Sequence, residues 1–299
     1  MIRYRMRLIN SGGLAMRLMN VIKACLYTSL MVIAVPGFAW NAIGHQVVAK
    51  IAYDNLTPEA KAEVNRLSTI IGQYYTRSNT FVKSASWPDS IRGHDVGAFD
   101  TWHYIDTPLR LDGKRPPQIN QPANVLWAID QSSKVLASRK SNDAEKALFL
   151  RFYAHFVGDV HQPLHCVELY SKATPDGDQG GNLIPVKSSI GKNLHSYWDN
   201  GAGVFRYIKN KPNRVYQLAR QLEKEYPRAD FSEAAIQAPP KDWAAESYQL
   251  DKDFVYTAKA NTTPSEAYRK QAQTIVQQRA ALAGYRLAYQ LNQLFQRQR

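Results

Sequence analysis

The chain has 299 residues, with 38 Lys and Arg against 25 Asp and Glu and a formal net charge of +13. This length fits one large domain or two small ones. The sequence has no internal repeat and no low-complexity tract, which excludes a repetitive architecture. The basic balance favours polyanions and anionic surfaces as partners, but charge by itself does not identify a function.

Residues 1–39 have the pattern of a secretory signal peptide. They carry five basic and no acidic residues, and an apolar stretch runs from Ala24 to Val35. Small residues, Gly37 and Ala39, then occupy the −3 and −1 positions of a cut after Ala39. The alternative is an uncleaved anchor, but about a dozen apolar residues are short for a span that needs ~20. We therefore predict a cleaved leader, a secreted or periplasmic protein, and no stable membrane insertion after cleavage.

Cleavage would leave residues 40–299, with Trp40 at the new N-terminus. The net charge would then be +8, because 33 basic and 25 acidic residues remain. Cys25 would be lost with the leader, so Cys166 could form no disulfide within the monomer. A secreted domain without disulfides needs a large core or another source of stability, and bound metal ions can supply it.

The spacing of apolar residues predicts a mainly helical chain. Residues 41–54 place apolar side chains at helical spacing. Thr57 and Pro58 are typical of an N-cap followed by proline at the first helical position. Asn142 and Glu145 have the spacing of a capping box. The helix that follows them has a broad apolar face, which we expect to be buried.

The rest of the chain continues this pattern. The last long helix is predicted to open at Thr263-Pro264-Ser265-Glu266, a cap followed by proline and Glu. Little strand signal is present beyond residues 182–186. Two loops, residues 107–122 and 174–182, lack the length and composition of an interdomain linker. One helical domain is the simplest interpretation.

Two His/Asp pairs repeat at the same spacing. His155 and Asp159 are four residues apart, as are His195 and Asp199. One helical turn places each pair on one face, where an imidazole and a carboxylate can hold a metal ion together. Two such pairs in one chain indicate more than one metal.

The histidines are also unevenly distributed. All seven lie between residues 45 and 195, whereas histidines used only for packing or at the surface should scatter more widely. The candidate donors are five histidines and three aspartates: His45, His103, His155, His165, His195, Asp89, Asp159 and Asp199. A mixed nitrogen and oxygen set suits zinc, and other divalent metals remain alternatives at this point.

The motifs follow one another in a specific order. They are Trp40-x4-His45, Trp87-Pro88-Asp89-x2-Arg92, Trp102-His103-Tyr104-Ile105-Asp106, His155-x3-Asp159-x5-His165, Asp178-Gln179-Gly180-Gly181-Asn182, Asn193-Leu194-His195-x2-Trp198-Asp199, Trp243-x2-Glu246-Ser247 and Ala283-Gly284-Tyr285-Arg286. Each is weak alone. Together they resemble the S1/P1 nuclease family, secreted zinc-dependent nucleases that act on single strands, over nearly all of residues 40–299.

The resemblance implies a mainly α, single helical domain of the phospholipase C/P1 nuclease type around a trinuclear zinc cluster. One zinc would be bound by Asp89, His103, His155 and Asp159. A second would be bound by His165, His195 and Asp199. The third would be bound by His45, Asp159 and the free amine and carbonyl of Trp40. Asp159 would bridge two metals, and removal of the leader would complete the site by freeing the Trp40 amine.

The implied activity is that of an endonuclease and 3′-nucleotidase. Single-stranded RNA and DNA and 3′-nucleotides would be hydrolysed to 5′-phosphate products. A metal-activated hydroxide oriented by Asp89 would attack the phosphorus, and Arg92 would neutralise charge on the phosphate. Tyr104 would stack on a base and Asp106 would hydrogen-bond a base edge, which requires an unstacked strand. The alternative is that both pack beside the metal site. No protein partner is implied, and we expect a monomer.

Other residues near the motifs receive different predictions. His161 is expected to pack or make a hydrogen bond beside the ligands rather than bind metal. Cys166 adjoins His165 and could bind metal, but a buried free thiol is the expected role. His94 is expected to be exposed in a loop. Three tryptophans next to candidate ligands are expected to pack: Trp87, Trp102 and Trp198.

Three other functions are compatible with parts of the pattern. A zinc-dependent phospholipase C shares the fold, the N-terminal Trp and a similar cluster, but it has Glu at the position of Asp199. The short spacing from Trp40 to His45 also favours the nucleases. A protein with purely structural zinc would have closed sites, usually with four Cys or His ligands. A nucleic-acid binder without turnover would not need these ligands.

Overall fold

A computed structural model describes residues 40–92, 96–209 and 211–296. The predicted leader, residues 1–39, and His94 lie outside these ranges. The helices within them are α1 (Ala42–Asp54), α2 (Pro58–Gly72), α3 (Phe81–Ser84), α4 (Trp87–Arg92), α5 (Val125–Ala137), α6 (Asp143–Asp159), α7 (Leu194–Asp199), α8 (Arg214–Glu225), α9 (Glu233–Gln237), α10 (Pro240–Asp253) and α11 (Glu266–Gln296).

Short 3-10 helices and one small sheet complete the described part of the chain. The 3-10 helices are Thr76–Ser78, Gly97–His103, Pro163–His165, Gly201–Gly203, Arg228–Asp230 and Val255–Thr257. The strands are β1 (Pro108–Leu109) and β2 (Glu168–Leu169), which pair in parallel. This architecture confirms the prediction of a mainly helical domain.

Side-chain caps explain where several helices begin. The Asn41 side chain accepts hydrogen bonds from Ile43 N and Gly44 N at the start of α1. Thr57 caps α2, with proline at the first helical position. Asn142 and Glu145 form the predicted capping box of α6. These caps satisfy backbone N–H groups that have no partner within the helix, so the sequence signals locate the helix starts well.

The last helix and the strand prediction differ from the structure. Helix α11 begins at Glu266, and its cap is Ser265, whose Oγ accepts from Tyr268 N at 3.1 Å. Thr263 and Pro264 precede the helix. Residues 182–186 form no named strand, since only an isolated bridge joins Pro185 to Asn193. Short local runs cannot reveal which segments will pair across a fold.

The core lies between the long helices. Helix α11 packs against α1 and α6, α6 packs against α2 and α5, and α1 packs against α8. From Leu150 to its end at Asp159, every residue of α6 is buried, as its apolar face predicts. No helix in the described ranges combines the length and apolar character needed to cross a membrane.

A partly buried ionic network joins α10 and α11 to the segment that follows α6. Glu246 accepts hydrogen bonds from Arg279 Nη1 at 2.5 Å and from Arg286 Nη2 at 2.7 Å. Arg286 Nη1 also donates to His161 Nε2 at 2.9 Å. The His161 Nδ1–H then donates to Val157 O at 2.7 Å. Both ring nitrogens of His161 are therefore engaged, which agrees with its predicted role outside the metal ligands.

Replacing Glu246 by Gln should lower the free energy of unfolding by about 2 kcal/mol. Two buried guanidinium groups would lose their counter-charge, and the cost is moderated because the Glu246 side chain is 37% exposed. Urea titration of the variant measures the loss. The matched control is Glu233→Gln, which breaks an exposed pair with Arg228.

The same variant tests a pH dependence. Burial acts to raise the pKa of Glu246. The hydrogen bond from Arg286 and the charge of Arg279 outweigh burial and hold this pKa below its ordinary value. Its contribution to stability is therefore complete above the unfolded-state pKa and is lost as pH falls through the lower folded-state pKa. The difference between wild type and Glu246→Gln should shrink on acidification, and a constant difference would contradict this assignment.

Candidate metal centre

Helix α6 supplies the central pair of the site. His155 and Asp159 lie one turn apart at its buried C-terminal end, and His155 Nε2 is 3.4 Å from Asp159 Oδ2. Helix α1 brings His45 to the same place, helix α4 brings Asp89, and the 3-10 helix Gly97–His103 brings His103. Five donors from four elements therefore converge on one end of α6.

The two oxygens of Asp159 face different partners. Oδ1 lies 3.3 Å from His45 Nε2, whereas Oδ2 lies 3.1 Å from His103 Nδ1. The carboxylate is fully buried. Each oxygen therefore faces an imidazole from a different element, so one carboxylate could contact cations on two sides.

Three residues of the first predicted ligand set, Asp89, His103 and His155, form one group, and Asp159 lies beside two of them. His155 Nε2 lies 3.0 Å from His103 Nδ1 and 3.5 Å from Asp89 Oδ1. His103 Nδ1 lies 3.9 Å from Asp89 Oδ1. With Asp159 these residues form a compact group of two nitrogens and two carboxylates, a donor set that suits zinc.

The second predicted set also forms a compact group. His165 Nε2 lies 3.2 Å from His195 Nε2, and Asp199 Oδ1 lies 3.6 Å from His195 Nε2 and 4.0 Å from His165 Nε2. Helix α7 supplies His195 and Asp199 from one face, as the four-residue spacing predicts. The 3-10 helix Pro163–His165 supplies the remaining imidazole.

The third predicted set is centred on His45. The donor geometry groups His45 and Asp159 with His155, whose ring stacks on that of His45 with centroids 3.8 Å apart. Trp40 lies beside them: its side chain is fully buried, and a Cβ placed on Gly158 would lie 2.7 Å from His45 Nδ1 and 3.7 Å from Trp40 Cδ1. Only glycine at position 158 allows α1 to approach α6 so closely.

Backbone carbonyls orient three of the histidines. The Nδ1–H groups of His155, His165 and His195 donate to the carbonyls of Ala85, His103 and Gly180, each at 2.7 Å. This tautomer leaves each Nε2 as a lone-pair donor towards the site. Such a hydrogen bond fixes the ring and makes the imidazole a better ligand.

Several buried donor atoms make no hydrogen bond to the described residues. They include both nitrogens of His45, Asp89 Oδ1 and Asp159 Oδ1. Buried polar atoms in proteins are nearly always paired, so a cluster of unpaired ones requires a partner of another kind. Cations would satisfy them, and the donor set therefore fits bound metal ions.

Burial strongly perturbs these groups. Burial is the largest cause that lowers the pKa of His45, His103 and His165. The positive charge of a neighbouring imidazole is the second cause for each of them. Burial also opposes protonation of His155, but Asp159 and Asp89 raise the pKa of His155 to about 9. Burial raises the pKa of Asp159 and of Asp199. Neutral imidazoles are the form that binds metal, and a bound cation would stabilise the buried carboxylates.

Arg92 lies at the edge of the first group. Its side chain is 4% exposed, its Nη1 lies 3.9 Å from Asp89 Oδ1, and its Nε donates to Asp100 Oδ1 at 2.9 Å. Asp89 and Arg92 both lie on α4, one turn apart. A fixed cation therefore stands directly beside the metal-ligand cluster.

Tyr104 and Asp106 follow His103 in extended backbone next to the cluster. The Ile105 N–H donates to His165 O at 2.8 Å, which ties this segment to the second group. Asp106 is partly buried, and burial together with the charge of Asp178 raises the pKa of Asp106 to about 6. Tyr104 is partly buried, and burial raises the pKa of its hydroxyl. The structure thus places both residues beside the site.

The residues predicted not to bind metal lie around it. Cys166 is a buried free thiol whose Sγ contacts Val160 O at 3.5 Å. Trp87 and Trp102 both pack against Phe152 of α6. Trp198 is fully buried and donates through Nε1 to Tyr268 Oη at 2.9 Å.

Gln162 is a site residue that the sequence analysis did not identify. Its Oε1 accepts from Leu164 N at 2.8 Å, so its amide nitrogen must point the other way and donates to Asp199 Oδ1 at 2.7 Å. The side chain is fully buried. Its position between Asp159 and His165 was the only available signal, since nothing local reveals a contact with residue 199.

Adjoining groups of buried His and Asp in a helical domain are typical of a metal-dependent hydrolase. Residues 40–296 match the family model for S1/P1 Nuclease, and the chain belongs to that family. It is similar to Endonuclease 4 of Arabidopsis thaliana, with 31% identity over 278 residues that cover 86% of this chain and 89% of that protein.

Two fungal enzymes are also similar. Nuclease P1 of Penicillium citrinum is 33% identical over 173 residues, which cover 54% of this chain and 57% of that protein. Nuclease S1 of Aspergillus oryzae is 25% identical over 279 residues, which cover 84% of this chain and 90% of that protein.

Replacing Gln162 by Ala should weaken metal binding at the group of His165, His195 and Asp199 by about 10- to 100-fold. The Asp199 carboxylate would lose the buried donor that fixes its orientation. Titration of the metal-free protein with Zn²⁺ in a competing chelator measures the change.

The matched control is Gln249→Ala. Gln249 also donates to an aspartate, Asp253, but at an exposed position on α10. Equal Zn²⁺ affinity in the two variants would show that the Gln162 contact has no influence on the metal group.

Proposed function

We propose that the chain is a zinc-dependent endonuclease and 3′-nucleotidase that cleaves single-stranded RNA and DNA to 5′-phosphate products. Membership of the S1/P1 nuclease family makes it a nuclease, a hydrolase of phosphodiester bonds. The observation that carries the finer proposal is the convergence of three adjoining His/Asp groups beside the buried guanidinium of Arg92.

The proposed ligands follow the three groups. Asp89, His103, His155 and Asp159 would hold one zinc, and His165, His195 and Asp199 a second. The third would be held by His45, Asp159 and the amine and carbonyl of Trp40. When bound, zinc would supply Lewis-acid chemistry, lowering the pKa of water to near ~7 and stabilising charge on phosphate oxygens.

The chain's own residues would then orient the reaction. Asp89 would accept a hydrogen bond from the attacking water and aim it at the phosphorus. Arg92, held through Nε by Asp100, would place its positive charge beside a phosphate oxygen that gains charge in the transition state. Both residues lie on α4, which packs against α6, so little reorganisation should be needed during the reaction.

Tyr104 and Asp106 would bind the base next to the scissile phosphate. A tyrosine ring stacks on any base, and the base must be unstacked to reach it, which favours single strands over duplex. Asp106 would accept a hydrogen bond from a base edge. Their position beside His103 and His165 supports this role.

We also propose that residues 1–39 are removed and that residues 40–299 form the mature catalytic domain outside the cytoplasm. Trp40 is fully buried, and the next residue caps α1 through its side chain. The Asn41 N–H donates to Asp199 O at 2.9 Å, so the backbone here already lies against a proposed ligand. A free amine at Trp40 would therefore stand close to the metal groups.

The central experiment is hydrolysis by the purified chain that begins at Trp40. Single-stranded DNA, RNA and a choline phospholipid are assayed while zinc is quantified in the same sample. We expect about three zincs per chain and nucleic-acid cleavage that chelation abolishes, because the cluster activates the water. Turnover of the phospholipid alone would reassign the chain to the phospholipases.

The variant Asp89→Asn should reduce turnover by on the order of 10²- to 10⁴-fold, because the attacking water loses its acceptor. Asp253→Asn, at an exposed position on α10, is the control. Equal turnover in the Asp89→Asn and Asp253→Asn variants would exclude the catalytic role of Asp89. It would also be the result expected of a nucleic-acid binder that does not use these residues for catalysis.

A second variant tests processing. A chain with one extra residue before Trp40 should bind about two zincs instead of three, because the terminal amine becomes a peptide nitrogen that is a poor ligand. Zinc is counted by mass spectrometry of the metal, and a chain extended at the C-terminus is the control. Full zinc content and full activity in the extended chain would contradict a role for the Trp40 amine.

A further inference from the structure

Two neighbouring tyrosines are exposed on a turn that the proposed mechanism does not use. Residues 73–77, called here the tyrosine turn, follow the end of α2, and their side chains are exposed. Tyr74 is 77% exposed and Tyr75 is 50% exposed. The turn also carries Arg77 and no acidic residue. Large aromatic side chains usually bury most of their surface, so an adjacent exposed pair requires an explanation.

The tyrosine turn is held rigidly against the helix that carries the metal ligands. Arg151 of α6 lies one turn before His155 and is fully buried. Its Nη1 donates to Ser78 O at 3.0 Å and to Ser78 Oγ at 3.1 Å, and its Nη2 donates to Ser68 O at 3.1 Å. One guanidinium therefore joins α2, Ser78 directly after the turn, and the helix that carries His155 and Asp159.

The tyrosine turn also adjoins the helix that carries Asp89 and Arg92. The Tyr75 ring lies edge-on to the Trp87 ring, with centroids 5.7 Å apart. Trp87 is the first residue of α4, and the Arg151 guanidinium lies over its ring at 5.6 Å from the centroid. Tyr75 thus contacts the first residue of the helix that also carries Asp89 and Arg92, the residues proposed to act on the phosphate.

We propose that Tyr74 and Tyr75 form a stacking platform for bases of a single-stranded nucleic acid that flank the scissile phosphate, with Arg77 close to the backbone phosphates. This inference rests on the proposed function. Exposed aromatic rings interleaved with a basic residue are what binding of unpaired strands requires, because bases stack on the rings and the cation attracts phosphates. The net positive charge of the chain fits the same ligand.

The platform makes a prediction that separates long from short substrates. A 3′-mononucleotide reaches only the metal groups and the Tyr104 region, whereas a long strand would also cover the tyrosine turn. Replacing Tyr74 or Tyr75 by Ser should therefore lower the ratio of kcat/KM for a long single-stranded DNA to kcat/KM for a 3′-mononucleotide by about tenfold.

Two control variants keep the result interpretable. Tyr75→Phe retains the aromatic face and should retain the wild-type ratio. Tyr216→Ser removes an exposed tyrosine on α8, where Lys50 lies over its ring, and should also retain the ratio. Because Tyr74 is largely exposed, Tyr74→Ser is expected to fold as the wild type does, and thermal unfolding checks this.

A direct binding measurement completes the test. Fluorescence anisotropy of a labelled single-stranded DNA is measured in the Asp89→Asn background, where cleavage during the measurement is slow. Arg77→Gln should reduce the slope of log affinity against log salt by about one, and Tyr74→Ser should weaken binding by about tenfold. Unchanged ratios and unchanged binding in the Ser variants would overturn the platform, whereas a wild type that cleaves neither substrate would overturn the proposed function itself.

Discussion

The carboxylate of Asp159 is buried at the C-terminal end of α6, where the helix dipole already places partial negative charge. An anion in that position is unfavourable unless positive charge stands next to it, and desolvation alone costs several kcal/mol. Its oxygens face His45 on one side and His103 on the other. Bound cations would offset both penalties at once and would join α1 and the 3-10 helix Gly97–His103 to α6.

The remaining structure holds the donors in place without using disulfides. Main-chain carbonyls of three separate segments fix the imidazoles of His155, His165 and His195. The Arg279, Arg286 and Glu246 network fixes the segment just after α6, through His161. A site held by backbone contacts and buried ion pairs is rigid because each partner belongs to a different packed element. The large helical core supplies stability to which Cys166, a free thiol, adds no cross-link.

Helix α6 also connects the candidate metal groups to the surface that we propose to bind the substrate strand. Arg151 joins it to the tyrosine turn, and Phe152 packs on Trp87 and Trp102, whose neighbours in sequence include Asp89 and His103. A nucleic acid strand on this face would contact side chains that are anchored to one helix. Binding of flanking nucleotides and positioning of the phosphate would then share one rigid support, which reduces the entropy lost when the strand binds.

Local patterns predicted the helices, their caps and the two His/Asp pairs, because a turn of helix brings residues four apart onto one face whatever surrounds them. The family resemblance assembled the same donors into three sets, whereas the structure brings them close together in partly different groups, with His155 beside both His45 and His103. Gln162, the carbonyls that orient the histidines, and the pairing of β1 with β2 were decided only by tertiary packing. Ala85 and His155 are 70 residues apart, and Gln162 and Asp199 are 37 apart. No local rule specifies such partners, since their contact depends on how whole helices dock.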